Sequence, residues 1–112
     1  MSKDLQIIEK LKNRFGANKI SYEIENNRVD QIELKYCKLQ NEDLYLIGEL
    51  TSLEGLYLSL NKISKIEGLE RLTNLKEINL SDNKIKQKER QNQNLSKFPN
   101  LEYFDLRHNN YK

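Results

Sequence analysis

Alanine and valine are almost missing from this chain of 112 residues; each occurs once, as Ala17 and Val29. That nearly excludes an alanine-rich helical bundle and a valine-rich β-sandwich. Cysteine also occurs once, at Cys37, so no internal disulfide can form. There is a single histidine, His108, and the four glycines (Gly16, Gly48, Gly55, Gly68) are too scattered to build a phosphate-cradling loop. No apolar run approaches the roughly 18 residues that cross a bilayer. The opening Met1-Ser2-Lys3-Asp4 lacks the apolar core of an export signal, so a reducing, cytoplasmic (intracellular) setting is expected. Neither sign of charge dominates: the net charge of +2 implies no partner by itself.

What the chain does contain is leucine (18) and isoleucine (10), and their spacing repeats. Four segments align: Val29 to Leu39, Leu53 to Ile63, Leu75 to Ile85 and Leu101 to Tyr111. The shared template is L-x-x-L-x-L-x-x-N/C-x-L, and Tyr111 is its one departure. Starts at 29, 53, 75 and 101 give periods of 24, 22 and 26 residues. The centre of each copy alternates apolar and variable residues, which predicts a short strand. Stacked copies make a parallel sheet whose apolar columns bury one another. The N/C column reads Cys37, Asn61, Asn83 and Asn109. Its side chains are expected to satisfy backbone groups where the chain turns off each strand. Cys37 is read there as a small buried turn residue rather than a reactive thiol.

This pattern resembles the leucine-rich repeat family over residues 29–112. The stretch Asn61 to Leu75 is similar to the 22-residue subclass typified by the regulatory subunit of protein phosphatase-1. Similar repeats occur in the spliceosomal A-prime protein and the acidic nuclear phosphoproteins. The resemblance implies an α/β leucine-rich-repeat solenoid that serves as an intracellular binding scaffold, with the parallel sheet on its concave side. Between strands the apolar residues recur every three, as in Ile63, Ile66, Leu69, Leu72, Leu75, in Leu44, Ile47, Leu50, Leu53, and in Leu95, Phe98, Leu101. That period predicts 3₁₀-like or short helical turns on the convex side.

The two ends differ. Residues 1–28 leave the template and predict an N-terminal cap within the same single domain. Asp4 is expected to cap a helix running to about Phe15, with Gly16 as its stop. Ile20 to Ile24 alternates as a strand, and Asn26-Asn27 predicts a tight turn into the first repeat. At the other end nothing after Asn109 is expected to form a capping helix, so either Arg107, His108 and Tyr111 make a minimal polar end or the edge is left for a second copy, a partner or the rest of a longer protein to cover. The longest period places a polar run at Lys86–Asn94, read as a solvated convex segment, or as a basic contact for an acidic partner.

The variable columns suggest where function lies. Tyr57 and Tyr103 are expected on the sheet face away from the core, Arg107 nearby, and Leu60 beside Tyr36 as an exposed apolar point. Together they predict a protein-binding concave face. Lys38, Lys62 and Lys84 form a basic rim, diluted by Glu33, Glu77, Asp82 and Asp105, so nucleic acid is not the expected partner. Catalysis is not expected either. Cys37 and His108 are three repeats apart, roughly 14 Å at strand spacing, and no ligand spacing for zinc or calcium is present. No cofactor and no metal are expected. The reading is therefore a non-enzymatic binding protein. Self-association through the C-terminal edge is its structural alternative, and nucleic-acid binding through the lysine rim its charge-based one.

Overall fold

The structure, a computed structural model, describes residues 2–86 and 98–109. Helix α1 (Lys3–Phe15) leads through a 3₁₀ turn (Ala17–Lys19) into strands β1 (Ile20–Glu25) and β2 (Arg28–Leu34). Helix α2 (Asp43–Ile47) and strands β3 (Gly55–Tyr57), β4 (Glu77–Asn79) and β5 (Tyr103–Asp105) follow. The expectations placed on Lys86–Asn94 beyond Lys86 itself, on Leu95 and on Tyr111 lie outside the described residues.

α1 forms because Ile7, Ile8 and Leu11 recur at helical spacing and are all buried. Gly16 ends it at φ 100°, donating its N–H to Lys12 O at 2.8 Å. The expected cap at Asp4 is corrected. Ser2 is the N-cap, its Oγ accepting from Leu5 N–H at 3.2 Å. Asp4 lies two residues later, within the first turn, and is buried. Its Oδ2 accepts from Val29 N–H at 2.9 Å and Arg28 Nε at 3.1 Å. A buried carboxylate needs such partners, and they tie the helix start to the first residues of β2. At the other end of α1, Arg14 Nε sits 2.7 Å from the buried Asp43 Oδ1 at the start of α2.

Asn26 and Asn27 turn the hairpin with φ of 53° and 64°, the left-handed pair that a two-residue turn of this twist demands. β1 and β2 are antiparallel, while β2, β3, β4 and β5 are mutually parallel, so the five-stranded sheet is mixed and ordered as in the sequence. The parallel register aligns Gln31, Gly55, Glu77 and Tyr103 in one column. Ile32, Leu56, Ile78 and Phe104 form the next, and Glu33, Tyr57, Asn79 and Asp105 the third. The middle column points into the core with Leu34, Leu58 and Leu80. Together these elements make an α/β repeat fold.

The connections opposite the sheet, expected as 3₁₀-like or short helical turns, are of two kinds. α2 is a short α-helix, the β3–β4 connection is a run of turns, and among the described residues the one 3₁₀ helix precedes β1. The period of three survives as i→i+3 bonds stepping along the leucines. Leu50 N–H donates to Ile47 O and Leu53 N–H to Leu50 O; Leu72 N–H donates to Leu69 O and Leu75 N–H to Leu72 O. Each step buries one apolar side chain against the neighbouring repeat, so packing rather than helical continuity sets the spacing. Adjacent turns touch at Gly48, where a Cβ would lie 1.9 Å from Gly68 O; any side chain there would separate the stacked turns.

Candidate functional site

The turns that follow the strands are stitched by asparagine amides. Asn61 Nδ2 donates to Leu34 O, Leu58 O and Ser59 O at 2.7, 3.0 and 3.1 Å. Its Oδ1 accepts from Cys37 N–H at 3.0 Å and Leu39 N–H at 3.1 Å. Asn83 donates to Leu58 O, Leu80 O and Ser81 O and accepts from Ile63 N–H. Asn109 donates to Leu80 O, Leu106 O and Arg107 O and accepts from Ile85 N–H. Each amide reaches a carbonyl of the preceding turn and an N–H of that same turn, which only a side chain with both a donor and an acceptor can do.

Cys37 is placed differently from the buried position expected of it. It is half-buried, with Sγ 3.3 Å from Lys35 O and 3.9 Å from Lys19 O. The reason is its place in the sheet. Its neighbour on one side is the hairpin strand β1, not an earlier repeat, so no buried turn carbonyl there demands an amide donor. Burial pushes the thiol above its ordinary pKa, with Asp43 adding to the rise and Lys19 opposing it, so the protonated form persists at neutral pH.

The sheet face away from the core carries Tyr57 and Tyr103 on either side of β4. Tyr57 lies across Gly55. A Cβ on Gly55 would meet the phenol oxygen at 2.8 Å and Cε2 at 2.9 Å, so glycine is what lets the ring lie flat. Its hydroxyl donates to Glu77 Oε1 at 3.2 Å. Burial raises the Tyr57 phenol pKa first, then the fields of Glu77, Glu23 and Glu33. Ser21, Tyr22, Glu23, Gln31, Glu33 and Tyr57 border an open hollow of about 290 Å³ floored at Ile32.

Tyr103 is exposed, and its hydroxyl donates to Asp105 Oδ2 at 3.1 Å. Arg107 does not stand free on this face. Its guanidinium grips Asp105 with Nε at 3.0 Å from Oδ1 and Nη2 at 2.8 Å from Oδ2. That pair, with the Arg107 N–H, holds the Asp105 carboxyl well below the usual carboxylate range. Asn79, one strand earlier, makes the same local turn, its Oδ1 accepting from Ser81 N–H and Oγ.

Tyr36 and Leu60 sit in the turns after β2 and β3, not on the sheet face itself. Both have left-handed backbone, φ 54° and 60°, as do Asp82 and His108 in the same template position. Tyr36 N–H donates to Leu60 O at 3.1 Å, and Leu60 N–H to Ser81 O, so the strained turns stack. Tyr36 is 66% exposed, the highest value among the exposed large hydrophobic side chains. Lys38, Lys62 and Lys84 are exposed one turn further on, where Lys62 N–H donates to Leu39 O and Lys84 N–H to Ile63 O.

The repeat columns alone miss Glu23, which β1 brings onto the face of Tyr57 through its antiparallel register with Gln31, while Tyr22, in register with Ile32, packs against the core side. The alternation of Ile20 to Ile24 was the available signal, but the direction of pairing decides the neighbours. Among the described residues no group of three or more His, Cys, Asp or Glu could hold a metal ion, and no helix is long and apolar enough to cross a membrane. No curated protein and no solved structure matches the chain. Residues 51–89 match the family model described as leucine rich repeats, in 2 copies, and this match supports a leucine-rich repeat family for the chain.

Proposed function

We propose that this protein is a non-enzymatic binding scaffold that holds another protein on the open face of its sheet. Four repeats starting at 29, 53, 75 and 101 would make that face concave, with residues 1–28 as the N-terminal cap and the resemblance to the phosphatase-regulator subclass extended over the stack. The observation that carries the reading is the aromatic surface on and beside a sheet face with no covering element among the described residues: Tyr36 and Tyr103 are exposed and Tyr57 is half-buried, with Arg107 nearby, while Leu60 is half-buried rather than the exposed apolar point expected of it. Tyrosines on a rigid sheet offer large contact area with little side-chain entropy to lose. Leucine-rich repeats generally mediate protein–protein interaction, which is consistent with this assignment. We place the protein in the cytoplasm on its sequence, and expect neither cofactor nor nucleic acid as partner. The test is replacement of Tyr57 and Tyr103 by alanine together, with folding checked by circular dichroism. Quantitative capture from native lysate should lose specific partners; an unchanged set removes the face assignment.

A second reading, self-association through the C-terminal edge, has one observation in its favour. Leu101, Phe104 and Leu106 are only partly buried, whereas Leu53, Leu56 and Leu58 in the same columns are fully buried. Light scattering at high concentration decides it: a strict monomer rules it out.

A further inference from the structure

We infer that the segment received by the open sheet face is basic, and that it seats a lysine or arginine side chain over Tyr57; this rests on the sheet-face reading above. Charge complementarity carries the inference. The chain as a whole is slightly basic, +2, yet this face has the opposite sign. Glu33 stands beside Tyr57 in register on β2, Glu23 follows on β1, and Glu77 accepts the Tyr57 hydroxyl from β4. Glu23 has no hydrogen-bond or ion-pair partner among the described residues, and Glu77 keeps one carboxylate oxygen clear of the tyrosine.

The cations on the same face are already engaged. Arg107 is clamped on Asp105, and Lys35 Nζ lies 3.5 Å from Glu33 Oε2. The Lys35 pair is half exposed on both sides, so an incoming guanidinium can replace it at small cost. The ring supplies the second half of the recognition. It lies flat over Gly55 and borders the hollow, and a cation within about 6 Å of a tyrosine centroid is attracted to the ring. On the opposite side of the sheet, Tyr22 holds a cation in this way: Lys12 Nζ of α1 is 5.2 Å from its centroid. An acidic segment laid on the same face would meet Glu23, Glu33 and Glu77 with like charge.

The experiment titrates the full isotope-labelled chain with a short synthetic peptide alternating arginine and serine, and separately with one alternating glutamate and serine. The arginine peptide should shift the amide signals of Glu23, Glu33, Tyr57 and Glu77 saturably, and less so as salt is raised. Converting Glu23, Glu33 and Glu77 to glutamine should weaken its binding about tenfold with the fold unchanged, and Tyr57→Leu should weaken it further. If the glutamate peptide binds the same amides as tightly, the charge inference is wrong while the face reading stands. If the arginine peptide shifts the amides around Lys38, Lys62 and Lys84 instead, the face reading itself fails. No saturable shift at millimolar peptide also overturns the inference.

Discussion

Asn61 and Asn83 look interchangeable in the sequence, yet their replacement by alanine should cost different amounts. Truncating Asn83 leaves its former carbonyl partners satisfied. Leu58 O keeps Asn61 Nδ2, Leu80 O keeps Asn109 Nδ2, and Ser81 O keeps Leu60 N–H. What is orphaned is the Ile63 N–H, buried and 3.1 Å from the lost Oδ1. A buried unsatisfied group costs about 1–3 kcal/mol. Truncating Asn61 orphans two donors, Cys37 N–H and Leu39 N–H. Leu39 N–H is buried and Cys37 N–H partly so, and the loss should therefore be larger, up to roughly double at about 2–6 kcal/mol, a large part of the 5–15 kcal/mol typical of a small domain. Urea unfolding of both variants, followed by circular dichroism, measures the difference. The slope with denaturant must stay unchanged for the comparison to hold, since short repeat stacks can lose cooperativity. Equal losses, or a larger loss at Asn83, would refute the ladder argument. A companion variant, Asn83→Asp, keeps the acceptor for Ile63 but faces three carbonyl oxygens with a carboxylate. Those oxygens raise its folded-state pKa above the unfolded value, so the variant should lose stability as pH rises from about 4 toward neutrality.

Other expectations follow from single contacts. Gly55→Ala should push the Tyr57 ring off its bed and break the bond to Glu77, lowering the phenol pKa toward its ordinary value in a spectroscopic alkaline titration; an unmoved pKa would contradict the stacking. Tyr36→Asn should raise stability by about 1 kcal/mol in the same urea assay, because asparagine tolerates the left-handed backbone, and at the same time weaken partner binding; lost stability would count against the strain. Asp105 has its pKa depressed by Arg107, so its contribution is fully present above the usual carboxylate pKa and disappears as pH falls toward its lowered folded-state value. Acid unfolding should therefore start at higher pH in Arg107→Ala than in the unmodified chain, and coincident acid transitions would sink the pairing argument.

The repeat alignment anticipated the sheet columns closely. Gln31, Gly55, Glu77 and Tyr103, aligned by template position, are paired partners in the structure. It could do so because one residue per column must face the same core layer in every copy. The helix cap was misplaced by two residues because Ser2 and Asp4 are both good caps, and only the chain packed alongside, with Val29 N–H and Arg28, draws Asp4 away. The convex connections were legible as a period of three, but which of them is a short helix and which a run of turns was not, since both bury one residue in three. Of the candidate site, the tyrosines and the lysines were visible as columns. The commitment of Arg107 to Asp105 was not, although the two lie only two positions apart.

By itself, then, the sequence determined the repeat, the strand columns and the apolar positions, because the same few slots recur and each must be buried. The tertiary structure alone decided the sign and shape of the open face. Glu23 joins the face that carries Tyr57, and Tyr22 the core, only because β1 pairs antiparallel with β2, and a hairpin's register, unlike a repeat's, has no second copy in the chain to reveal it.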